Sequence, residues 1–339
     1  KGYLAAAMAA ATALVKGQLV SGGWRQVIHF APPSKGQIGK YRKGIAGGND
    51  NTSTLDDGQS TSALMAIMKV DKALDQKDAD IHDAAMYGLD ALLKAQFPNG
   101  GFPQCWVGPQ GLKVADKAKY PEYEWRTENR PKEYWWLPTL NDYISGYVCE
   151  TLILAHQVYK DAKYKAALAK MGDFLVNAQM PDPQPAWAQQ YTVEMCPSWA
   201  RKFEPPAITS WESQDAMETL MKVHAYTGDK KYLEPIPSCI AYLRKSLLPD
   251  GRLARYYELK SNKPLYMDGK YQLSYDDKAA PTHYGWKQAS RLDAIEKLYN
   301  DFKAGSKSAL AELDKGLAAK EGIMIPAVSE LEVTAQKIV

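Results

Sequence analysis

Three turns in this chain are copies of one another, and their spacing restricts the fold more than any other feature. Gln18 to Gln26 (QLVSGGWRQ) and Gln96 to Gln104 (QFPNGGFPQ) share a Gln, a Gly pair, an aromatic residue and a second Gln at the same offsets. Gln179 to Gln189 (QMPDPQPAWAQ) is a looser copy and Leu248 to Arg252 (LPDGR) a fourth. Gly23 and Gly101 lie 78 residues apart, and Phe102 and Trp187 lie 85 apart. Each interval holds two helices of about 15 to 18 residues with their loops.

Apolar periodicity fills those intervals with helical pairs: 58–74 with 78–95, 143–158 with 163–178, and 213–226 with 230–247. The first helix of a pair is apolar around much of its surface, as at Ala63, Leu64, Ala66 and Ile67 or Val148, Leu152, Ile153 and Leu154. The second alternates Lys and Asp with apolar positions at helical spacing. One helix is therefore inner and one outer, and hairpins of this kind bury their faces by closing into a ring. The expectation is an all-α, incomplete (α/α) toroid over residues 1–301. Two long segments break the period, 25–50 and 106–139, and both are expected at a cleft. The tail, 302–339, has a helical segment from Ser308 to Lys320 and is expected to pack on the ring or trail from it.

Several classes are excluded. A net charge of +3 from 42 Lys and Arg against 39 Asp and Glu lacks the clustered basic stripe of a nucleic-acid binder. The apolar run from Tyr3 to Val15 falls short of the roughly 20 residues that span a bilayer, and its helical spacing assigns it to the mature fold. Cys105, Cys149, Cys196 and Cys239 form no C-x-x-C pair, and the five histidines show no H-E-x-x-H spacing, so neither zinc nor a Ser/His/Asp triad is expected.

Each inner helix opens on acidic sequence: Thr54-Leu-Asp-Asp57, Leu140-Asn-Asp142 and Ile208-Thr-Ser-Trp-Glu212. Helix capping and the helix dipole account for one carboxylate at such a position. They do not require Asp56 beside Asp57, or Asn141 beside Asp142. In a ring these segments meet at one mouth, where hard oxygens suit Ca²⁺. Arg201, in Ala200-Arg-Lys-Phe-Glu-Pro-Pro206, points a cation at the same mouth and suits a carboxylate-bearing substrate. Tryptophans at 106, 125, 135, 136, 187, 199 and 211 offer flat faces for sugar rings, with Trp106 and Trp187 the chosen contacts.

Together these motifs resemble the family 10 polysaccharide lyases, the pectate lyases, from about Gln18 to Trp286. The resemblance implies an (α/α)₃ toroid, secretion, and Ca²⁺-assisted β-elimination on polygalacturonate. It implies Asp56 and Asp142 as the metal positions, Arg201 as a substrate-binding Arg, and Asp57 and Asn141 as their substrate-side neighbours. Two departures stand out. The segment where the family carries its catalytic Arg reads Pro264-Leu-Tyr-Met-Asp-Gly-Lys270-Tyr-Gln-Leu-Ser-Tyr275, which leaves Lys270 or Arg255 as the base, and Asp57 stands where the family has Asn. The partner is an anionic polysaccharide and the protein a monomer, with neither nucleic acid nor membrane involved. A uronan-binding protein without the base is a second reading, and a toroid like the class II terpenoid cyclases a third.

Overall fold

The computed structural model describes residues 2–33 and 36–306, together with 309 and 311. Three helical hairpins form the body: α2 (Gln59–Ala73) with α3 (Ala79–Ala95), α4 (Ile144–Tyr159) with α5 (Ala162–Ala178), and α6 (Ser210–Thr227) with α7 (Ile236–Lys245). The inner helices pack in chain order, α2 on α4 and α4 on α6. Helix α1 (Gly2–Gly17) closes one flank against α2 and α3, and α8 (Leu292–Lys303) closes the other against α6 and α7. This is the incomplete (α/α)₃ toroid. Helix α1 buries Ala11 and Val15, as the apolar run requires, and no helix among the described residues is long and apolar enough to cross a membrane. The expected helical segment from Ser308 to Lys320 lies outside the described residues, apart from Ala309 and Ala311.

The repeated turns behave as one joint used three times. The Gln18 side-chain amide donates to Gly22 O in its own turn and to Ala84 O on α3. Gln96 does the same to Gly100 O and Ala167 O on α5, and Gln179 to Pro185 O and to Pro235 O just before α7. Each turn is thereby tied to the outer helix that follows it. The aromatic residue then presents its carbonyl to the strand entering the next inner helix: Thr54 N–H donates to Trp24 O, Thr139 N–H to Phe102 O, and Thr209 N–H to Trp187 O, at 2.9–3.1 Å. Those threonines pair antiparallel with chain that follows the next turn, Thr54 with Cys105, Thr139 with Gln190 and Thr209 with Tyr256. One hydrogen-bond scheme therefore sets the phase of every inner helix.

Two differences from the sequence expectation have physical causes. The outer partner of the third hairpin is interrupted, with a 3₁₀ turn at Lys230–Leu233 before α7, because Pro235 and Pro237 cannot donate to a continuous helix. Helix α6 is not apolar: it buries Glu212, Asp215, Glu218 and Lys222. Arg291 meets Asp215 at 2.6 Å, Lys222 meets Glu150 at 2.8 Å, and Arg255 lies 3.5 Å from Glu212, so the buried charges are paired. A small antiparallel sheet, β1-β2-β3-β4 (Ile208–Thr209, Tyr256–Tyr257, Pro264–Met267, Leu273–Ser274), roofs the α6 end.

The joint depends on glycine where the chain turns back. Gly100 has φ +99°, and a Cβ there would lie 2.0 Å from Lys170 O. Gly100→Ala should cost about 2 kcal/mol or more in chemical denaturation, since both the backbone angle and a fixed carbonyl oppose it. Gly108→Ala, with nothing within 4 Å of its Cβ, should be nearly neutral.

Candidate active site

The segments entering α2 and α4 fold identically. Leu55-Asp-Asp-Gly58 and Leu140-Asn-Asp-Tyr143 each make one 3₁₀ turn, with left-handed backbone at Asp57 (φ 47°) and Asp142 (φ 50°) and again at Gly58 and Tyr143. Asp tolerates that region because its short polar side chain bonds locally, whereas Tyr does so at a cost. Tyr143 is held by an edge-on ring contact with Tyr147 and by Gly146, where any Cβ would overlap the Tyr143 ring. Thr54 Oγ1 accepts from Asp56 N–H at 3.0 Å and Thr139 Oγ1 from Asn141 N–H at 3.3 Å, so the turns are braced alike.

This duplicated turn brings Asp56, Asp57 and Asp142 together: one oxygen of each lies within 4.8 Å of the others. Asp56 and Asp142 are half-buried and Asp57 is exposed. The Asp142 carboxyl is pushed up to about 8, by burial first, then by its hydrogen bond to Asp56 and the charges of Asp56, Glu212 and Asp57. Asn141, buried beneath, donates its amide to Asp142, while its Oδ1 is buried without a hydrogen-bond partner. Three carboxylates and an orphaned amide oxygen are a hard-oxygen donor set that a divalent cation such as Ca²⁺ fits.

Arg201 stands at the same mouth, close enough to Asp142 for their charges to interact. Its Nε and Nη2 donate to the two oxygens of Glu204 at 2.8 and 2.6 Å, and Glu204 is only 2% exposed. Those bonds hold the guanidinium above its usual range. Burial would raise the Glu204 carboxyl, but Arg201 and the Tyr284 hydroxyl, which donates to it at 2.9 Å, bring it below the usual carboxylate range. Arg255 lies deeper, its guanidinium 4.6 Å from the Tyr284 ring and 5.6 Å from Trp211. Burial lowers its proton affinity, and the charges of Tyr256, Glu212, Tyr284 and Glu204 more than offset that, so it is held charged. Lys270 is exposed at the tip of the β3–β4 hairpin. Its neighbour Tyr271 packs on Phe203 and beneath Lys202, which sets that tip beside the Arg201 loop.

The two tryptophans expected to face sugar do not. Trp187 is fully buried and its indole N–H donates to Leu175 O, as that of Trp24 in the first turn donates to Leu14 O. Trp106 is 1% exposed and donates to Ser21 O. Both are joints of the scaffold. The most exposed tryptophan is Trp211, at 43%, in the first turn of α6 and next to Glu212. In the sequence an Arg-x-x-Glu spacing is the one signal for the Glu204 clamp, and nothing local marks Tyr284.

The architecture has solved counterparts. A mutant of the family 10 polysaccharide lyase from Cellvibrio cellulosa, in complex with trigalacturonic acid, superposes with a TM-score of 0.64 at 18% identity, over 88% of this chain and 95% of that one. The family 10 polysaccharide lyase itself, from the same organism, gives 0.63 at 18% identity over 89% and 95%. No curated protein sequence matches the chain. The family profile of the pectic acid lyases matches residues 18–252, well over half the chain, and the protein belongs to that family.

The Asp142 shift has a measurable consequence. In chelator, the folded protein binds a proton that the unfolded chain releases near pH 4, so stability should fall as pH rises from about 4 to about 8. Asp142→Asn should flatten that slope in thermal melts taken across the range.

Proposed function

We propose that the protein is a secreted, monomeric pectate lyase that cleaves polygalacturonate by β-elimination with Ca²⁺. The observation that carries this reading is the convergence of Asp56, Asp57 and Asp142 beside Arg201 in a chain of the pectic acid lyase family. The relative solved with trigalacturonic acid supports an acidic sugar as the ligand. Secretion accords with a polymeric substrate.

Asp56 and Asp142 would hold the ion, with Asp57 and Asn141 completing its oxygens or meeting the substrate. The bound cation would neutralise the uronate carboxylate and so acidify the adjacent C–H. Arg201, aimed by Glu204, offers a fork to a carboxylate and fixes the sugar ring. Abstraction of the C5 proton builds negative charge, and Arg255, kept cationic by its neighbours, stabilises it from beneath. That firm charge makes Arg255 a poor proton acceptor. Lys270, at the hairpin tip beside the Arg201 loop, is the remaining candidate acceptor in this reading, since a lysine covered by bound polymer gives up its proton more readily than a solvated one.

Incubation with polygalacturonate and Ca²⁺ should raise the ultraviolet absorbance of unsaturated chain ends, and chelation should abolish the rise. Absence of a rise on any uronan defeats the lyase reading. Arg201→Ala and Lys270→Ala should each lower kcat about 100-fold or more; Lys270→Ala should leave the melting temperature unchanged, whereas Arg201→Ala should also lower it, because buried Glu204 loses its partner. Full activity in Lys270→Ala would move the acceptor elsewhere. A uronan-binding protein without turnover is the second reading, favoured by the firmly charged Arg255, and retention of polygalacturonate without product would establish it.

A further inference from the structure

A cavity of about 460 Å³ opens beside the acidic cluster, between the 25–50 loop and the start of α2, and Asp56 lines it. That volume suits a small-molecule ligand. Its chemistry differs from that of the mouth. The cation in its lining, Arg25, is ion-paired with Asp50, whose side chain is 7% exposed. With Asp56 added, a carboxylate entering this space meets two acids and no uncommitted Arg or Lys among the described lining residues. Besides His29 and Cys105, the remaining polar lining is the amides of Gln26, Gln37, Gln59 and Gln104 and the hydroxyls of Thr52 and Thr54.

Two buried side-chain atoms in this lining lack a hydrogen-bond partner, Gln59 Oε1 and His29 Nδ1. Buried polar atoms are normally satisfied, so two orphans in one cavity mark where a ligand or water supplies the missing group. Gln59 Oε1 can only accept. A carboxylate facing that oxygen can only accept as well and leaves it unsatisfied, whereas a hydroxyl in the same place donates.

We propose that this cavity is a subsite for an uncharged, hydroxyl-bearing sugar unit that neighbours the uronate held at the acidic cluster. The inference rests on the uronan reading above and narrows it: the preferred substrate is a mixed chain in which a uronate unit adjoins a neutral one. Gln59 and His29 are the residues that read the neutral unit, and the Arg25–Asp50 pair turns away a second carboxylate by leaving no free cation for it.

Titration calorimetry at saturating Ca²⁺, on a variant too slow to cleave the ligands, tests this with trigalacturonate and the two trisaccharides in which one terminal carboxylate has been reduced to the alcohol. One reduced trisaccharide should bind about 10-fold tighter than the unreduced one, a difference on the scale of one or two hydrogen bonds made or left unpaired. Gln59→Leu removes an acceptor that has no partner in the empty cavity, so it should leave the fold and trigalacturonate affinity intact while cutting the preference to about two-fold or less. Trigalacturonate binding as tightly as both reduced forms, or a preference that survives Gln59→Leu, overturns the subsite and leaves the uronan reading standing. Binding of none of the three overturns both.

Discussion

The glutamine amide at each repeated turn is the contact from which the architecture follows. It bonds two carbonyls at once, one in its own turn and one at the next outer helix, so the turn cannot rotate relative to the hairpin it precedes. The aromatic carbonyl is then fixed in direction, and the threonine N–H that meets it sets where the inner helix begins. Asp56, Asp57 and Asp142 follow that threonine by two or three residues, so their convergence is inherited from an amide hydrogen bond far back in the chain. The joint is polar, buried at Gln18 and half-buried at Gln96 and Gln179, which makes its geometry specific: a slipped register would strand several carbonyls without donors.

The mouth itself runs against stability. Clustered half-buried carboxylates raise the proton affinity of Asp142, and Tyr143 occupies a backbone region that its side chain disfavours. The costs are confined by close neighbours. Glu204 is compensated by Arg201 and Tyr284, and Glu212 faces Arg255 at 3.5 Å, whereas the three aspartates gather with Arg201 reaching only Asp142, and that at longer range. An electrostatic imbalance at one point of a balanced rim is what a bound divalent cation would relieve.

Much of this was readable from local pattern. The hairpins came from 3.6-residue periodicity between like turns, and the gathering of Asp56, Asp142 and Arg201 followed once those hairpins were bent into a partial ring. The role of tryptophan was not readable that way. Trp24 and Trp187 occupy the same place in two turns, and that equivalence argues for a scaffold part, yet composition invited a sugar platform. Tyr284 reaches the site through the loop after the sheet, where no repeat constrains it, and Glu204 acquires meaning only from its buried bonds to Arg201. The polar interior of α6 was hidden for a related reason, since its counter-charges Arg291 and Glu150 lie 76 and 72 residues away.

The central claim is that one rim holds a cation and a uronate side by side. Its most direct measurement is the calorimetric affinity for Ca²⁺ with and without trigalacturonate, using a variant too slow to cleave it. Shared occupancy predicts that each ligand tightens the other by the same factor, about 5-fold or more, as thermodynamic linkage requires. Equal Ca²⁺ affinity in the two titrations would mean that cation and sugar ignore one another, and the account of the site would be wrong.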